Sequence, residues 1–224
     1  MAKLYKLVRL KFIIVIIIIF LSFLYRSNSV KGINHGFIAQ DDAYISSAYS
    51  NVTFPNTDFL NVRNGSYRED TYLRFETSTI GRPIVDISLE MYISAVNADM
   101  EVRIIATDTD WSEETITWDS KPTNYGEVAL FHLFSGDEGM FKIYLHDNGV
   151  PAGIPISFCL KLNFTGYFRI VSKENSNYLL AYAPTLYFST QDIPGTPVIM
   201  LILIGGFLGV ILVFISNHKK KLII

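Results

Sequence analysis

The middle of the chain carries carboxylates in close pairs: Asp41 and Asp42, Asp108 and Asp110, Glu113 and Glu114. Calcium draws its oxygens largely from loop carboxylates and carbonyls, so pairs of this kind suit one structural ion. Asp41, Asp42 and Asp110 are the expected ligands, although no EF-hand spacing is present. A second chemistry is planar. Tyr72, Arg74 and Glu76 share the side of a strand opposite Leu73 and Phe75. If that side is open, a ring and a planar fork of donors could receive a sugar and the carboxylate of a uronic acid. If it is not, it is an outer face of cross-strand ion pairs. Arg63 and Trp111 join the ligand-binding expectation. The flat face of Trp111 could stack on a sugar ring, or the residue could cap the rim of a core. Trp118 alternates with Ile116 and is expected inside. Glu113, Thr115 and Thr117 suit a turn closed by side-chain hydrogen bonds better than acid–base chemistry.

Other chemistries find no support. There is no nucleophile elbow, P-loop, dinucleotide fingerprint or histidine–carboxylate constellation, and no catalytic residue is assigned. His35, His132, His146 and His218 are scattered, which argues against a transition-metal site. The single cysteine, Cys159, excludes a disulfide framework. Asn51-Val-Thr53, Asn64-Gly-Ser66 and Asn163-Phe-Thr165 are glycosylation sequons, with Asn64 the best placed because it lies in an expected turn.

The elements that must position these residues are strands. Val85, Ile87, Leu89, Met91 and Ile93 alternate with Asp86, Ser88, Glu90 and Tyr92, and Ile156 to Asn163 alternates in the same way. No stretch sustains a helical period. FPNTD, RNGS, IGRP, HDNG and VPAG punctuate the runs as turns. About ten short strands over residues 36–188 predict an all-β, jelly-roll-like β-sandwich.

The ends are different. Lys3, Lys6, Arg9 and Lys11 precede the uncharged run from Phe12 to Tyr25, which predicts a signal peptide over 1–29 or an uncleaved signal anchor. Ser27 and Ser29 fit a cleavage site. Val198 to Ile215 is uncharged and is followed by Lys219, Lys220 and Lys221. It predicts a transmembrane helix over 198–215, with 189–197 as linker and 216–224 as a cytoplasmic tail. The body is then outside the cell membrane. Between Lys31 and Asp192, 11 basic residues against all 21 acids leave a net charge of −10. That distribution excludes nucleic acid as a partner, since binding it needs a basic face.

In order along the chain come Asp42/Tyr44, then Tyr72/Leu73/Phe75, then Ser88 to Tyr92. Trp111/Glu113/Thr115/Thr117/Trp118/Pro122 follow, and Ser172/Glu174 with Tyr178 to Tyr182 close the series. Together they resemble the DNRLRE domain family, described also as a carbohydrate-binding module family and related to archaeal disaggregatases. The resemblance spans roughly residues 38–188, and the Trp–Glu–Thr–Trp segment is its most specific part. It implies a β-jelly roll and a polysaccharide or glycan ligand.

The sequence therefore predicts a membrane-tethered, non-catalytic surface module for glycan recognition or adhesion. The rival is a structural envelope or surface-layer subunit that works by contact with envelope proteins. A polysaccharide-degrading enzyme is the third reading.

Overall fold

Alternating side chains need two environments, and a strand supplies them by pointing successive residues to opposite faces. A computed structural model of the chain describes residues 33–77, 84–146, 155–177 and 180–190. Outside the two longer connections at 47–58 and 108–123, the described chain is mostly strand and short turn. The strands are β1 (Ile33–Ile38), β2 (Asp41–Ser46), β3 (Phe59–Asn64), β4 (Arg68–Phe75), β5 (Ile84–Val96) and β6 (Met100–Thr107). They continue as β7 (Asn124–Leu133), β8 (Gly139–Leu145), β9 (Ile156–Leu162), β10 (Gly166–Val171) and β11 (Thr185–Thr190). One 3-10 turn, Leu180–Tyr182, precedes β11.

The strands form one continuous sheet in the order β1-β11-β5-β10-β3-β4-β9-β6-β7, with β2 added to β4 and β8 to β5. Every pairing is antiparallel. The sheet folds over at the β3–β4 hairpin, where only Arg63↔Glu69 and Asn64↔Arg68 are paired. One layer is then β2-β4-β9-β6-β7. The other has β5 at its centre, with β8 on one edge and β11 and β10 in succession on the other. A single core lies between them. Leu73, Phe75, Ile104, Phe158 and Leu160 from the first layer meet Leu89, Met91, Ile93, Phe168 and Phe188 from the second. The expected all-β sandwich is present.

Some expectations shift. The body runs from Ile33 to Thr190, a few residues past the expected bounds at both ends. Residues 108–123 hold turns and no strand, so Ile116 and Trp118 do not alternate on a shared strand face. The expected signal segment, the span over 198–215 and the tail lie outside the described residues. Among the described residues no helix is long and apolar enough to cross a membrane.

Candidate functional site

Asp42 stands on β2, Glu113 in the segment after β6, and Ser172, Lys173 and Glu174 just after β10. The fold brings all of them together. The Asp42 backbone N–H donates to Glu113 Oε2 at 3.3 Å, and the Lys173 N–H donates to Asp42 Oδ2 at 2.8 Å. Ser172 Oγ lies 3.1 Å from Asp42 Oδ1 and also donates to Glu174. The Lys173 ammonium is 2.5 Å from Glu113 Oε2 and pairs with Glu174 as well. Oxygens of Asp42, Glu113 and Glu174 lie within 4.8 Å of one another. Burial, reinforced by the neighbouring Glu174, pushes the Asp42 carboxyl well above its ordinary value. Burial acts on Glu174 too, but hydrogen bonds from Asp42, Lys173 and Ser172 outweigh it and hold its carboxyl low. Burial works against the charge on Lys173, yet Glu113 and Glu174 prevail and raise its ammonium above the ordinary lysine value.

This cluster works as a clasp. It ties the 108–123 segment and the turn after β10 to β2. The expected ligand set Asp41, Asp42 and Asp110 is not assembled. Asp41 instead accepts from Arg74 Nε at 2.8 Å and Arg74 Nη2 at 2.5 Å, and Asp110 is exposed and outside the carboxylate group. The carboxylate group that does form has an ammonium already seated in it. Glycoside hydrolysis needs two carboxyls on either side of a sugar linkage, roughly 5 Å apart or more. Here Lys173 fills the space between the carboxylates.

Held by the clasp, residues 108–123 lie across the outer face of β2, β4 and β9. Trp111 is 7% exposed and meets the Tyr72 ring edge-on, with centroids 5.9 Å apart. Its indole N–H donates to Ser157 Oγ at 2.8 Å. Ala43, Ile45, Tyr72, Ile116 and Cys159 complete a second core on this side. Burial pushes the Cys159 thiol up to about 12. Of the side chains anticipated on one open face, Tyr72 is therefore covered, because the segment after β6 folds back over it, while Arg74 pairs with Asp41 and Glu76 is exposed. Trp118, expected inside, packs only at the margin of this core, with the Lys121 ammonium 3.7 Å from its ring centroid.

The open arginine and tyrosine face lies on the second layer. On β10, Phe168 and Ile170 point into the core, so Tyr167 and Arg169 point outward. Opposite them on β3 stand Arg63 and Asn61. The Arg63 guanidinium sits between two rings, 4.9 Å from the centroid of Tyr67 and 4.5 Å from that of Tyr167. Its Nε donates to Glu69 Oε2 at 2.9 Å. Tyr167 Oη donates to Asn61 Oδ1 at 3.3 Å. Arg169 lies over the Phe59 ring at 4.8 Å; its Nε is buried with no hydrogen-bond partner, and no carboxylate pairs with it among the described residues. Tyr44 stacks on Phe54 at 4.5 Å, with the exposed Tyr49 edge-on to Phe54. Two cationic forks thus sit among several rings, one paired with a carboxylate and one not.

The model of carbohydrate-binding module family 96 matches residues 34–183. The chain belongs to this family. No curated protein matches it. Among solved structures it is similar to the CBM22-1–GH10 modules of the Clostridium thermocellum endo-1,4-beta-D-xylanase 10B, crystallised with xylohexaose. Identity is 10% and the TM-score 0.34 over 67% of this chain, which spans 25% of that one.

In this family-96 module Arg63, expected among the ligand-binding residues, lies beside two rings, while Tyr167, Arg169 and Lys173 were not foreseen. The signal for the first two was present in GYFRIV, where Tyr167 and Arg169 alternate with Phe168 and Ile170. Beyond the neighbouring Glu174 no local signal exists for Lys173, whose other partners are 60 and 131 positions away. The sequons also differ from one another. Asn64 Nδ2 donates to the Asn163 carbonyl at 3.1 Å, and Asn163 Nδ2 to Glu101 Oε1 at 3.1 Å. Asn51 is exposed on the turn after β2.

Proposed function

We propose that this family-96 module is a non-catalytic recognition module that binds a carboxylate-bearing polysaccharide on the outer face of β3 and β10. The observation that carries this reading is Arg169: a guanidinium set against Phe59, beside Tyr167, with no carboxylate paired to it among the described residues. A planar carboxylate would take two parallel hydrogen bonds from such a fork. The neighbouring rings offer flat faces for the sugar. The body as a whole is negative, so the attraction has to be local to Arg63 and Arg169. We place the module outside the cell, tethered by the apolar span over 198–215 with Lys219 to Lys221 on the inner side. The tether is tested by protease added to intact cells, which should remove the body and leave the span.

Affinity electrophoresis of the full chain through gels containing polygalacturonate or a neutral glucan tests the ligand. Retardation by the acidic polymer, lost in Arg169→Gln with unchanged thermal stability, is the expected result. Undiminished retardation of Arg169→Gln would remove the basis of the proposal. Absence of retardation in every gel, together with co-purification of an envelope protein, would favour the structural-subunit reading instead.

A further inference from the structure

The outer face of the second layer continues beyond Arg169, along β5, to a separate group of aromatic side chains. Ile87 and Leu89 of β5, Ile143 and Leu145 of β8, and Leu186 and Phe188 of β11 all point into the core. Ser88, Tyr144 and Tyr187 therefore point outward. The strand register places them in one row: Tyr144↔Ser88 across β8 and β5, Ser88↔Tyr187 across β5 and β11, and Tyr187↔Gly36 across β11 and β1. The two tyrosines are thus two strand spacings apart, each about 4.8 Å, with the small Ser88 between them. Arg169 pairs with Ala95 on the same strand, so this row lies roughly 20 Å from it along β5.

Three features make the row more than two exposed rings. A side chain at position 36 would meet Tyr187 ring carbons at 2.8 and 3.2 Å, so glycine there lets the ring lie close against the sheet. The Lys142 ammonium reaches both rings, 5.8 Å from the Tyr144 centroid and 5.7 Å from that of Tyr187. The same ammonium donates to Glu90 Oε1 at 3.0 Å, so its charge is matched within the site. Tyr144 is 63% exposed. The row therefore offers two seated rings in line, a shallow floor, and a matched ion pair with donors and acceptors to spare.

We propose that Tyr144, Tyr187, Lys142 and Glu90 form a second carbohydrate-binding surface, for an uncharged stretch of sugar chain. A pyranose presents an apolar C–H face to each ring and hydroxyls that both donate and accept. The Lys142–Glu90 pair can answer the hydroxyls in both senses. A bare anion finds no unmatched cation here, which separates this surface from the one at Arg169. An aliphatic protein partner is disfavoured by area: a stable protein interface buries on the order of 800 Å² per partner around an apolar centre, and this row has two rings flanking a serine. The inference rests on the reading that the module binds glycans, but on different residues. With two surfaces on one face, a long polymer could engage both and gain avidity without new contacts.

Calorimetric titration of the full chain in detergent with cello-, xylo- and manno-oligosaccharides tests the second surface. Saturable binding to at least one is expected, weakened about tenfold or more by Tyr187→Ala and by Tyr144→Ala, as for central aromatic anchors of an interface. Gly36→Ala keeps both rings but lifts Tyr187, and it should weaken binding as well. Arg169→Gln should leave neutral binding unchanged while abolishing retention by the acidic polymer. Tyr144→Ala removes an exposed ring, so its fold is secure whatever happens to the other variants. No binding of any neutral oligosaccharide, binding indifferent to all three row variants, or binding lost with Arg169→Gln would each overturn the second surface. The last would leave the acidic-polymer reading standing.

Discussion

The outer faces of the two layers began from similar sequence and ended differently. On β2, β4 and β9 the outward residues Ala43, Ile45, Tyr72 and Cys159 are roofed by Trp111 and Ile116. On β3, β10 and β5 the outward residues Arg63, Tyr167, Arg169 and Glu90 have no such roof and remain partly exposed. An aromatic next to an arginine is thus neither core nor ligand site by composition. What decides is whether a distant segment is pinned across it, and here the pin is the clasp of Asp42, Glu113, Lys173 and Glu174.

The comparison breaks most visibly at Trp111. Trp111→Ala should cost about 3–5 kcal/mol in denaturant unfolding, as large-to-small changes in a core do. It should also open Cys159 to alkylation, which the native thiol resists because it is buried and held protonated. A roof that is ornamental would give neither effect. The clasp comes next. Lys173→Met leaves three carboxylates around an apolar stem and should cost about 3 kcal/mol. If the roof depends on the clasp, it should raise Cys159 reactivity as well.

A smaller effect sharpens the clasp by pH. Asp42 has a raised carboxyl, so the stability it lends is full below its ordinary range and is lost as pH rises through its folded value. Glu174 is held low and behaves oppositely: its contribution is present above its ordinary range and fails as pH falls through the folded value. Melting temperature against pH should therefore decline on the alkaline side in the native chain and decline less in Asp42→Asn. Parallel curves would mean that Asp42 is not the proton holder. The smallest stability effect belongs to the open face. Arg169→Gln should change unfolding free energy by no more than about 0.5 kcal/mol, as surface changes do. A larger loss would show that the face is structural after all. Peptide mapping of chain isolated from its source cells adds a local readout: a glycan on Asn51, with Asn64 and Asn163 bare because their amides are engaged in the fold.

Much of the architecture was readable because alternation is a local property. Val85 to Ile93 and Ile156 to Leu162 announce β5 and β9 without reference to the rest of the chain. β7 was harder. Register shifts between Ile104 and Ile105, and again between Ala106 and Thr107, put consecutive Val128 and Ala129 both inside, so the period breaks. The two arginine faces could not be ranked from sequence. Arg74 and Arg169 each alternate with core residues on their own strands, and only the path of residues 108–123 tells them apart. Asp42, Glu113 and Glu174 each stand out in the sequence, but their meaning is collective. They are separated by 71 positions at one step and by about as many at the next, and no spacing rule predicts that one lysine will sit among them.

The first and last described strands lie side by side, Ile33 opposite Thr190, with the Thr190 hydroxyl donating to the Ile33 carbonyl at 3.2 Å. Tension applied through the two ends would therefore act across the hydrogen bonds at one rung at a time, as on a zipper, and not along a whole strand in shear. β1 would peel from β11 before the core felt the load, so the module would yield in small steps at its margin, and Tyr187 would lose its seat at Gly36 while β3 and β10 stayed folded.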